Sequence, residues 1–230
     1  MMGDRNFAEV HGSGRNGQLS SGTTTIGLAC RDGIVLGTER RATMGTMIAN
    51  KMTIKLFRID RHLGMTLAGS LGDAQAIIRL VQSEAALYQA RVGRPMPVEA
   101  ATTFTSNLLN ANRFYPYFGW FILGGVDSTG PRLFSLEAAG GMLEESFVSI
   151  GSGSPFALGV LENAWKAGTT ISEGVDLVIR GLTVAMSRDS ASGDGFAVAT
   201  VTDGGFVELG SNEIERRRGH HAREVSTSRR

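Results

Sequence analysis

The segment Ser20-Ser21-Gly22-Thr23-Thr24-Thr25-Ile26-Gly27-Leu28 separates two parts of the chain with different character. Before it the sequence is polar and glycine-rich and has no apolar periodicity, so residues 1–22 are expected to form a disordered leader. After it an apolar, strand-like pattern begins at once and continues almost to the end of the chain. The boundary between Gly22 and Thr23 therefore suggests a cleavage point that leaves Thr23 as a new N-terminus.

An N-terminal threonine carries a hydroxyl and a free α-amine on the same residue. The amine is a recognised base for the hydroxyl. Its ordinary pKa of about 7.7–8.0 leaves a useful fraction unprotonated near neutral pH. In the uncut chain the Thr23 nitrogen is a non-basic amide, so the leader would keep such a residue inactive. Taken alone, the string is also typical of a β-prone strand start after a polar tail, which is the commoner meaning of so short a motif.

Length and composition favour one large globular domain. The 230 residues are 42% hydrophobic and 20% charged, which suits a chain with a sizeable core. A net charge of +1 gives no electrostatic argument for nucleic acid or an anionic membrane as partner. No apolar run approaches the length of a membrane span, and the leader lacks the apolar region of a secretory signal.

The single cysteine, Cys30, excludes an internal disulfide and fits a reducing cytoplasm. It lies in an apolar strand-like run and is expected to be a buried, unreactive thiol. The histidines have no spacing typical of a metal site, and the sequence has no phosphate-binding loop. The sequence therefore predicts neither a metal nor a cofactor.

Apolar periodicity predicts segregated runs of strands, two helices, strands, two helices and strands. Such an order favours an α+β fold over alternating βαβ units. Two sheets packed face to face, with a helix pair outside each, would bury every apolar stripe. The expected strands are 24–30, 34–38, 47–52, 54–59, 64–68, 120–126, 132–137, 142–149, 197–202 and 206–209, and the expected helices are 71–91, 98–114, 156–167 and one that starts near residue 172.

Two strand–helix junctions share a pattern, a weak internal echo. Gly69-Ser70-Leu71-Gly72 and Gly151-Ser152-Gly153-Ser154 each end a strand and open a helix. Ser70 is the expected N-cap, with Asp73 at the capping-box position. The backbone N–H of Gly69 could point at a developing oxyanion. A glycine required by a tight turn is the alternative, and the commoner reason for glycine there.

Lys55 and Glu39 are a candidate pair of buried charges. If Ile54 and Leu56 face one way, Lys55 faces the other, and an inward lysine needs a partner or a function. Beside a terminal amine at Thr23 its positive charge would lower the pKa of that amine. Glu39, at the end of the second strand, could form an ion pair with Lys55. A solvated strand lysine and an edge carboxylate are the alternative.

The segment Arg188-Asp189-Ser190-Ala191-Ser192-Gly193-Asp194-Gly195 ends the fourth expected helix. Its short polar side chains could form a hydrogen-bonded network beneath a reactive amine. A polar loop that only ends a helix is the alternative for this segment.

Together and in this order, these motifs resemble the β-subunits of the 20S proteasome, in particular the archaeal type, a family of N-terminal threonine hydrolases. The resemblance covers about Thr23–Arg216. It implies a four-layer αββα sandwich, with two packed antiparallel sheets flanked by helix pairs. It rests on Gly-Thr-Thr-Thr-Ile-Gly at 22–27, Thr-Glu-Arg-Arg-Ala-Thr-Met at 38–44, Lys-Leu-Phe at 55–57, Met-Thr-Leu-Ala-Gly-Ser-Leu-Gly-Asp-Ala-Gln at 65–75, Gly-Ser-Gly-Ser-Pro at 151–155 and Arg-Asp-Ser-Ala-Ser-Gly at 188–193.

The resemblance implies a role for each matching residue. The nucleophile, freed by autolytic removal of a propeptide at Gly22–Thr23, falls on Thr23. The acidic residue falls on Glu39, where many members have aspartate. The other implied catalytic residues are Lys55, the oxyanion donor Gly69, and the group supporting the amine, Ser152, Asp189 and Ser192. The implied substrate contacts are Thr43, Gly69 and Leu71 for backbone pairing, and Ala42, Thr53, Leu67 and Leu71 for a largely apolar first pocket.

The resemblance also implies partners and a division of the chain. The partners would be other β-subunits in stacked heptameric rings, rings of separate α-subunits, an ATP-dependent unfoldase cap and unfolded polypeptide substrates. The chain would consist of a propeptide 1–22, a hydrolase domain 23–212 and a charged, flexible tail 213–230.

The predicted activity is that of a threonine endopeptidase that cuts unfolded proteins to short peptides through an acyl-enzyme. Two alternatives remain at this point. One is a non-catalytic ring subunit of the same fold, and the other is a small-molecule amidohydrolase with an N-terminal nucleophile. The sequence gives little support for a third possibility, a stand-alone binding module.

Overall fold

The computed structural model of the protein describes residues 22–227, with side chains to residue 219. The predicted leader up to residue 21 lies outside the described residues. The strands are β1 (Thr24–Cys30), β2 (Gly33–Glu39), β3 (Ala42–Met44), β4 (Met47–Asn50), β5 (Leu56–Asp60), β6 (Leu63–Gly69), β7 (Gly119–Asp127), β8 (Gly130–Leu136), β9 (Met142–Glu144), β10 (Phe147–Gly151), β11 (Phe196–Thr202) and β12 (Gly205–Glu208). The helices are α1 (Leu71–Val92), α2 (Val98–Ala111), α3 (Ser154–Ala164), α4 (Ile171–Arg188) and α5 (Ser211–Thr227).

Two five-stranded antiparallel sheets form the centre of the fold. The first has the order β10-β1-β2-β11-β12 and the second the order β5-β6-β7-β8-β9. A separate pair, β3 and β4, extends from the connection between β2 and β5. The predicted α+β arrangement of two antiparallel sheets is confirmed.

Three apolar layers hold the sheets and helices together. One lies between the second sheet and helices α1 and α2, and another between the first sheet and helices α3 and α4. The third lies between the two sheets. Four structural layers in the order helices, sheet, sheet, helices follow from these three cores. Within residues 22–227 no helix is long and apolar enough to cross a membrane.

The alternation of side chains along a strand explains why each central strand joins two cores. On β2, Val35 packs toward α4, whereas Ile34 and Leu36 pack between the sheets. Both faces of this strand are therefore apolar, as a strand covered on both sides requires. Helix α4 begins with a capping box between Thr170 and Glu173, close to its predicted start.

Three local predictions are wrong. Residues 142–149 were expected as one strand, but β9 pairs with β8 in the second sheet and β10 pairs with β1 in the first. The chain crosses between sheets at Glu145 and Ser146, where Glu145 N donates to Leu133 O and Ser146 O accepts from Ala29 N.

The expected shared face of Ile54 and Leu56 is absent, because β5 starts only at Leu56: Ile54 is exposed and Leu56 is buried. Asp73 does not complete a capping box at α1, since its carboxylate accepts from Phe118 N instead.

The expected flexible tail is a helix in its described part. Helix α5 starts at Ser211, so the expected boundary at residue 212 falls inside it. Ile214 is buried in the core beside α4. Arg217 bonds Asp176 of α4 at 2.8 Å and Glu213 at 2.6 Å. The high charge of this segment predicted a flexible tail, but the apolar contact of Ile214 and the ion pairs of Arg217 attach it to α4.

At the junction between β6 and α1, the backbone conformation and the close neighbours favour glycine over any residue with a side chain. Gly69 has φ of 124°, and a Cβ there would lie 2.4 Å from Phe118 O. Because backbone cannot give way as a side chain can, Gly69→Ala is expected to lower the free energy of unfolding by about 1–3 kcal/mol. Urea unfolding of the isolated subunit measures this change.

Gly72, in the first turn of α1, is the matched control. A Cβ there would have no neighbour within 4 Å. Since alanine is the better helix former, Gly72→Ala is expected to be neutral or to stabilise by up to about 1 kcal/mol. Equal unfolding midpoints for the Gly69→Ala variant and the parent would contradict the assignment of strain.

Candidate active site

Antiparallel pairing brings four chain segments to one end of the first sheet. Thr23 precedes β1 and Glu39 ends β2, while Ser152 follows β10 and residues 189–195 precede β11. From the second sheet, Lys55 precedes β5 and Gly69 ends β6. The candidate residues from distant parts of the sequence therefore meet because of the strand order within each sheet and the packing of the two sheets on each other.

Thr23 lies at the centre of this group, and its side chain has two partners. Lys55 Nζ donates to Thr23 Oγ1 at 2.8 Å, and Thr23 Oγ1 donates to Gly22 O at 2.7 Å. The Thr23 backbone nitrogen donates to Ser152 Oγ at 3.2 Å. The hydroxyl thus lies beside the carbonyl of the Gly22–Thr23 peptide and beside a lysine ammonium.

Lys55 and Glu39 form a buried ion pair, with exposed side-chain fractions of 3% and 0%. Lys55 Nζ also donates to Arg41 O. The other oxygen of Glu39 accepts from Arg41 N at 2.6 Å and Gly193 N at 3.0 Å. Burial lowers the pKa of Lys55, although the negative charge of Glu39 acts to raise it. Burial likewise raises the pKa of Glu39, although the positive charge of Lys55 acts to lower it. The solvated alternative considered for these two charges is therefore wrong.

A second polar group lies beneath the Thr23 nitrogen. Asp189 Oδ2 accepts from Ser152 Oγ and from Ser192 Oγ, both at 2.6 Å. Ser192 Oγ is in turn 2.7 Å from Thr24 Oγ1. The three predicted residues Ser152, Asp189 and Ser192 are thus connected to one another and to the start of β1.

A cleft of about 430 Å³ opens beside this group. Gly69 lies on its wall together with Gly22 and Ser152. Its apolar lining residues are Ala68, Phe118, Trp120 and Ile150. The cleft therefore reaches Gly22, the residue before Thr23, while Thr23 itself is buried behind it.

The residues expected to contact substrate do not share one environment. Thr43 Oγ1 accepts from Gly22 N at 3.0 Å, so Thr43 already binds backbone next to the candidate cleavage point. Thr53 is buried and Ala42 half-buried. Leu71 is exposed at the start of α1. Leu67 differs from the expectation, because it is 1% exposed and packs into the core beneath α1 and α2 rather than lining an open pocket.

Sequence reasoning missed two contributors. The carbonyl of Arg41 accepts from Lys55, and the hydroxyl of Thr24 extends the Asp189 group. Neither has a signal of its own in the sequence, since Arg41 was part of an unassigned polar patch and Thr24 part of a strand. Cys30 is buried as predicted, and burial together with Asp32 and Glu173 raises the pKa of its thiol to about 12.

Comparison with known proteins gives consistent matches along the described chain. A family model described as "Proteasome subunit" matches residues 19–201. "Proteasome subunit beta" of Methanothermobacter thermautotrophicus is 48% identical over 197 residues, which is 85% of this chain and 94% of that protein. "Proteasome subunit beta" of Methanosphaerula palustris is 49% identical over 195 residues, 84% of this chain and 92% of that protein. "Proteasome subunit beta 1" of Thermococcus onnurineus is 46% identical over 194 residues, 84% of this chain and 95% of that protein.

Proposed function

Since this chain belongs to the proteasome subunit family, we propose that it is a threonine-type endopeptidase with Thr23 as its nucleophile. The observation that carries the proposal is the 2.8 Å contact between Lys55 Nζ and Thr23 Oγ1, inside a buried ion pair. A lysine ammonium is rarely buried without a partner or a function. Here it has both an ion-pair partner and a hydroxyl beside a susceptible peptide bond.

The first proposed step is removal of residues 1–22. Thr23 Oγ1 lies 2.7 Å from Gly22 O, so the hydroxyl is next to the carbonyl group that it would attack. Hydrolysis of the Gly22–Thr23 bond would convert the Thr23 amide into an α-amine. That amine would occupy the place of the present nitrogen, which lies 3.2 Å from Ser152 Oγ.

In the proposed peptidase cycle the amine takes the proton of Thr23 Oγ as the oxygen attacks a substrate carbonyl carbon. The backbone N–H of Gly69 would stabilise the oxyanion. The tetrahedral intermediate collapses when the amine gives the proton to the departing peptide nitrogen, which leaves an ester on Thr23 Oγ. Water then attacks the ester, again with the amine as base, and restores the hydroxyl.

The surrounding charges suit this cycle. The ammonium of Lys55 would disfavour a positive charge on the Thr23 amine and so keep its pKa low. Glu39 holds Lys55 in place, and the Asp189 group orients Ser152 toward the amine.

The assembly and cellular context are also proposals. We expect stacked heptameric rings of this chain between rings of α-subunits, in the cytoplasm, with an ATP-dependent unfoldase that supplies unfolded polypeptides. The names of the relatives favour this assembly over a small-molecule amidohydrolase, since all three describe proteasome subunits. The buried Lys55–Glu39 pair beside Thr23 favours an active subunit over a purely structural one.

Intact mass spectrometry tests the proposal. The full chain is co-expressed with a proteasome α-subunit, the assembled particle is isolated, and the mass of this subunit is measured. The expected mass is that of a chain that starts at Thr23, because cleavage creates the proposed catalytic amine. A full-length mass in a fully assembled particle would contradict the proposal and favour the structural subunit.

A further inference from the structure

The loop of residues 189–195 contributes to both polar groups of the site. Asp189, at its start, accepts from Ser152 and Ser192. Gly193, near its end, donates its backbone N–H to Glu39 at 3.0 Å. The position of this loop therefore affects both the support beneath the Thr23 nitrogen and the ion pair beside the Thr23 hydroxyl.

Arg41 contacts this loop with its side chain. Arg41 Nε donates to Asp194 Oδ2 at 2.7 Å, and Arg41 Nη1 donates to Ser190 O at 2.8 Å. The guanidinium also lies against Gly193, where a Cβ would be 2.4 Å from one of its nitrogens. A planar, forked group that bonds two points of a loop is a geometry that arginine provides and lysine does not.

The backbone of Arg41 contacts the ion pair at the same time. Its N–H donates to Glu39 at 2.6 Å and its carbonyl accepts from Lys55. The same residue therefore touches the Lys55–Glu39 pair with its main chain and the 189–195 loop with its side chain. The sequence did not predict either of these contacts, and the proposed reaction gives Arg41 no role.

The backbone conformation of Asp194 is an unfavourable one that its surroundings must stabilise. Asp194 has φ of 63° and is the one non-glycine residue with positive φ among residues 22–227. Aspartate adopts this conformation at a free-energy penalty that other contacts must offset. The ion pair with Arg41 is the interaction that the Asp194 side chain makes there.

We infer that Arg41, through Asp194 and Ser190 O, is a positioning residue that fixes the 189–195 loop so that Gly193 N–H meets Glu39 and Asp189 meets Ser152. This inference rests on the proposed function. It adds a residue that holds the Lys55–Glu39 pair and the Asp189 group in fixed positions relative to each other. Neither Arg41 nor Asp194 touches the reacting atoms. Loss of either contact would therefore displace the groups that take part in the chemical step, but it would not remove any of them.

The test uses Arg41→Met and Asp194→Ala in the full chain, co-expressed with a proteasome α-subunit. For the assembled particles, kcat and KM are measured with a short fluorogenic peptide, together with the rate of leader removal. Both variants are expected to lower kcat on the order of 10- to 100-fold, since small displacements of catalytic groups have such effects. KM is expected to change less than about twofold, because uniform substrate binding is untouched.

The two variants change the local charge in opposite directions. Arg41→Met removes a positive charge and Asp194→Ala removes a negative one. A purely electrostatic influence on the site would shift kcat in opposite directions, whereas loss of a shared contact lowers kcat in both. The double variant is expected to be no worse than Arg41→Met alone, since Arg41→Met already removes the interaction with Asp194.

Two further variants complete the test. Arg41→Lys keeps the charge but loses the fork, and it is expected to resemble Arg41→Met. Arg40→Met removes the adjacent charge, whose side chain bonds Phe196 O and lies near Glu208, and it is expected to keep the parental kcat. If Arg41→Met does not assemble, Asp194→Ala tests the contact from the other side, because it deletes the carboxylate that accepts from Arg41 Nε.

Failure of this inference can be told apart from failure of the proposed function. An inactive parent particle, or full activity without the Thr23 hydroxyl, would overturn the proposed function. An active parent with parental kcat in Asp194→Ala, or with full recovery in Arg41→Lys, would overturn the positioning role of Arg41 alone.

Discussion

Thr23→Ala is expected to abolish both removal of the leader and hydrolysis of peptides. The substitution deletes Oγ1, the atom that contacts Lys55 Nζ and Gly22 O, and leaves the backbone bond to Ser152 in place. Loss of a nucleophile that acts with its base as a unit lowers kcat by about 10⁴-fold or more. Intact mass spectrometry reports the leader, and turnover of a fluorogenic peptide reports the activity.

Thr23→Ser is the matched control, because serine keeps the hydroxyl and loses only a methyl group. We expect this variant to remove its leader and to cleave peptides, with a reduced rate. A chain produced directly with residue 23 as its first residue separates the two activities further. With alanine at this position it would assemble without needing autolysis and would still be inactive. Parental turnover by either alanine form would exclude Thr23 as the nucleophile.

The sequence predicted the central strands and the first helix because their local pattern and their final environment agree. β1 and β2 are apolar runs on either side of a turn, and both are buried on two faces. Helix α1 has an apolar stripe at helical spacing and Ser70 as its N-cap, which accepts from Asp73 N. In such elements tertiary contacts only reinforce what propensity already favours.

Other features depend on contacts between distant residues, which a local pattern does not contain. Residues 142–149 have one continuous β pattern, yet the chain changes sheets at Glu145 because β8 and β1 present partners on both sides of that point. Helix α5 is strongly charged, and among its residues 211–219 the one buried apolar side chain is Ile214. Its contact with α4 depends on Asp176 and on the Ser172 carbonyl, which the tail sequence does not reveal.

The candidate site shows the same division. Thr23, Lys55, Glu39 and the Asp189 group were predicted, but only long motifs in order made them more than weak single signals. Leu67 lies one residue from the wall of the cleft and faces the helix-side core instead, as alternation along β6 requires. Arg41 acts through its main chain and through a loop more than a hundred positions away, so no local pattern could indicate it.

Lys55→Met is expected to remove peptidase activity and also to destabilise the folded subunit. The side chain is similar in length, but Glu39 is left as a buried carboxylate without its ammonium partner. Removing one member of a buried ion pair lowers the free energy of unfolding by about 3–5 kcal/mol. The double variant Lys55→Met/Glu39→Gln replaces both charges and should recover most of this loss, while peptidase activity stays absent.

The pH dependence of that loss identifies its cause. Burial already raises the pKa of Glu39 above its ordinary value, and loss of Lys55 removes the main influence that lowers it. The folded Lys55→Met chain therefore binds a proton more readily than the unfolded chain between the ordinary pKa near 4.5 and the raised folded value. Its stability should fall as pH rises through this window, so urea unfolding should show a smaller deficit at pH ~5 than at pH ~8. An equal deficit at both pH values, or no recovery in the double variant, would mean that lost packing of the lysine chain and not the unpaired carboxylate destabilises the protein.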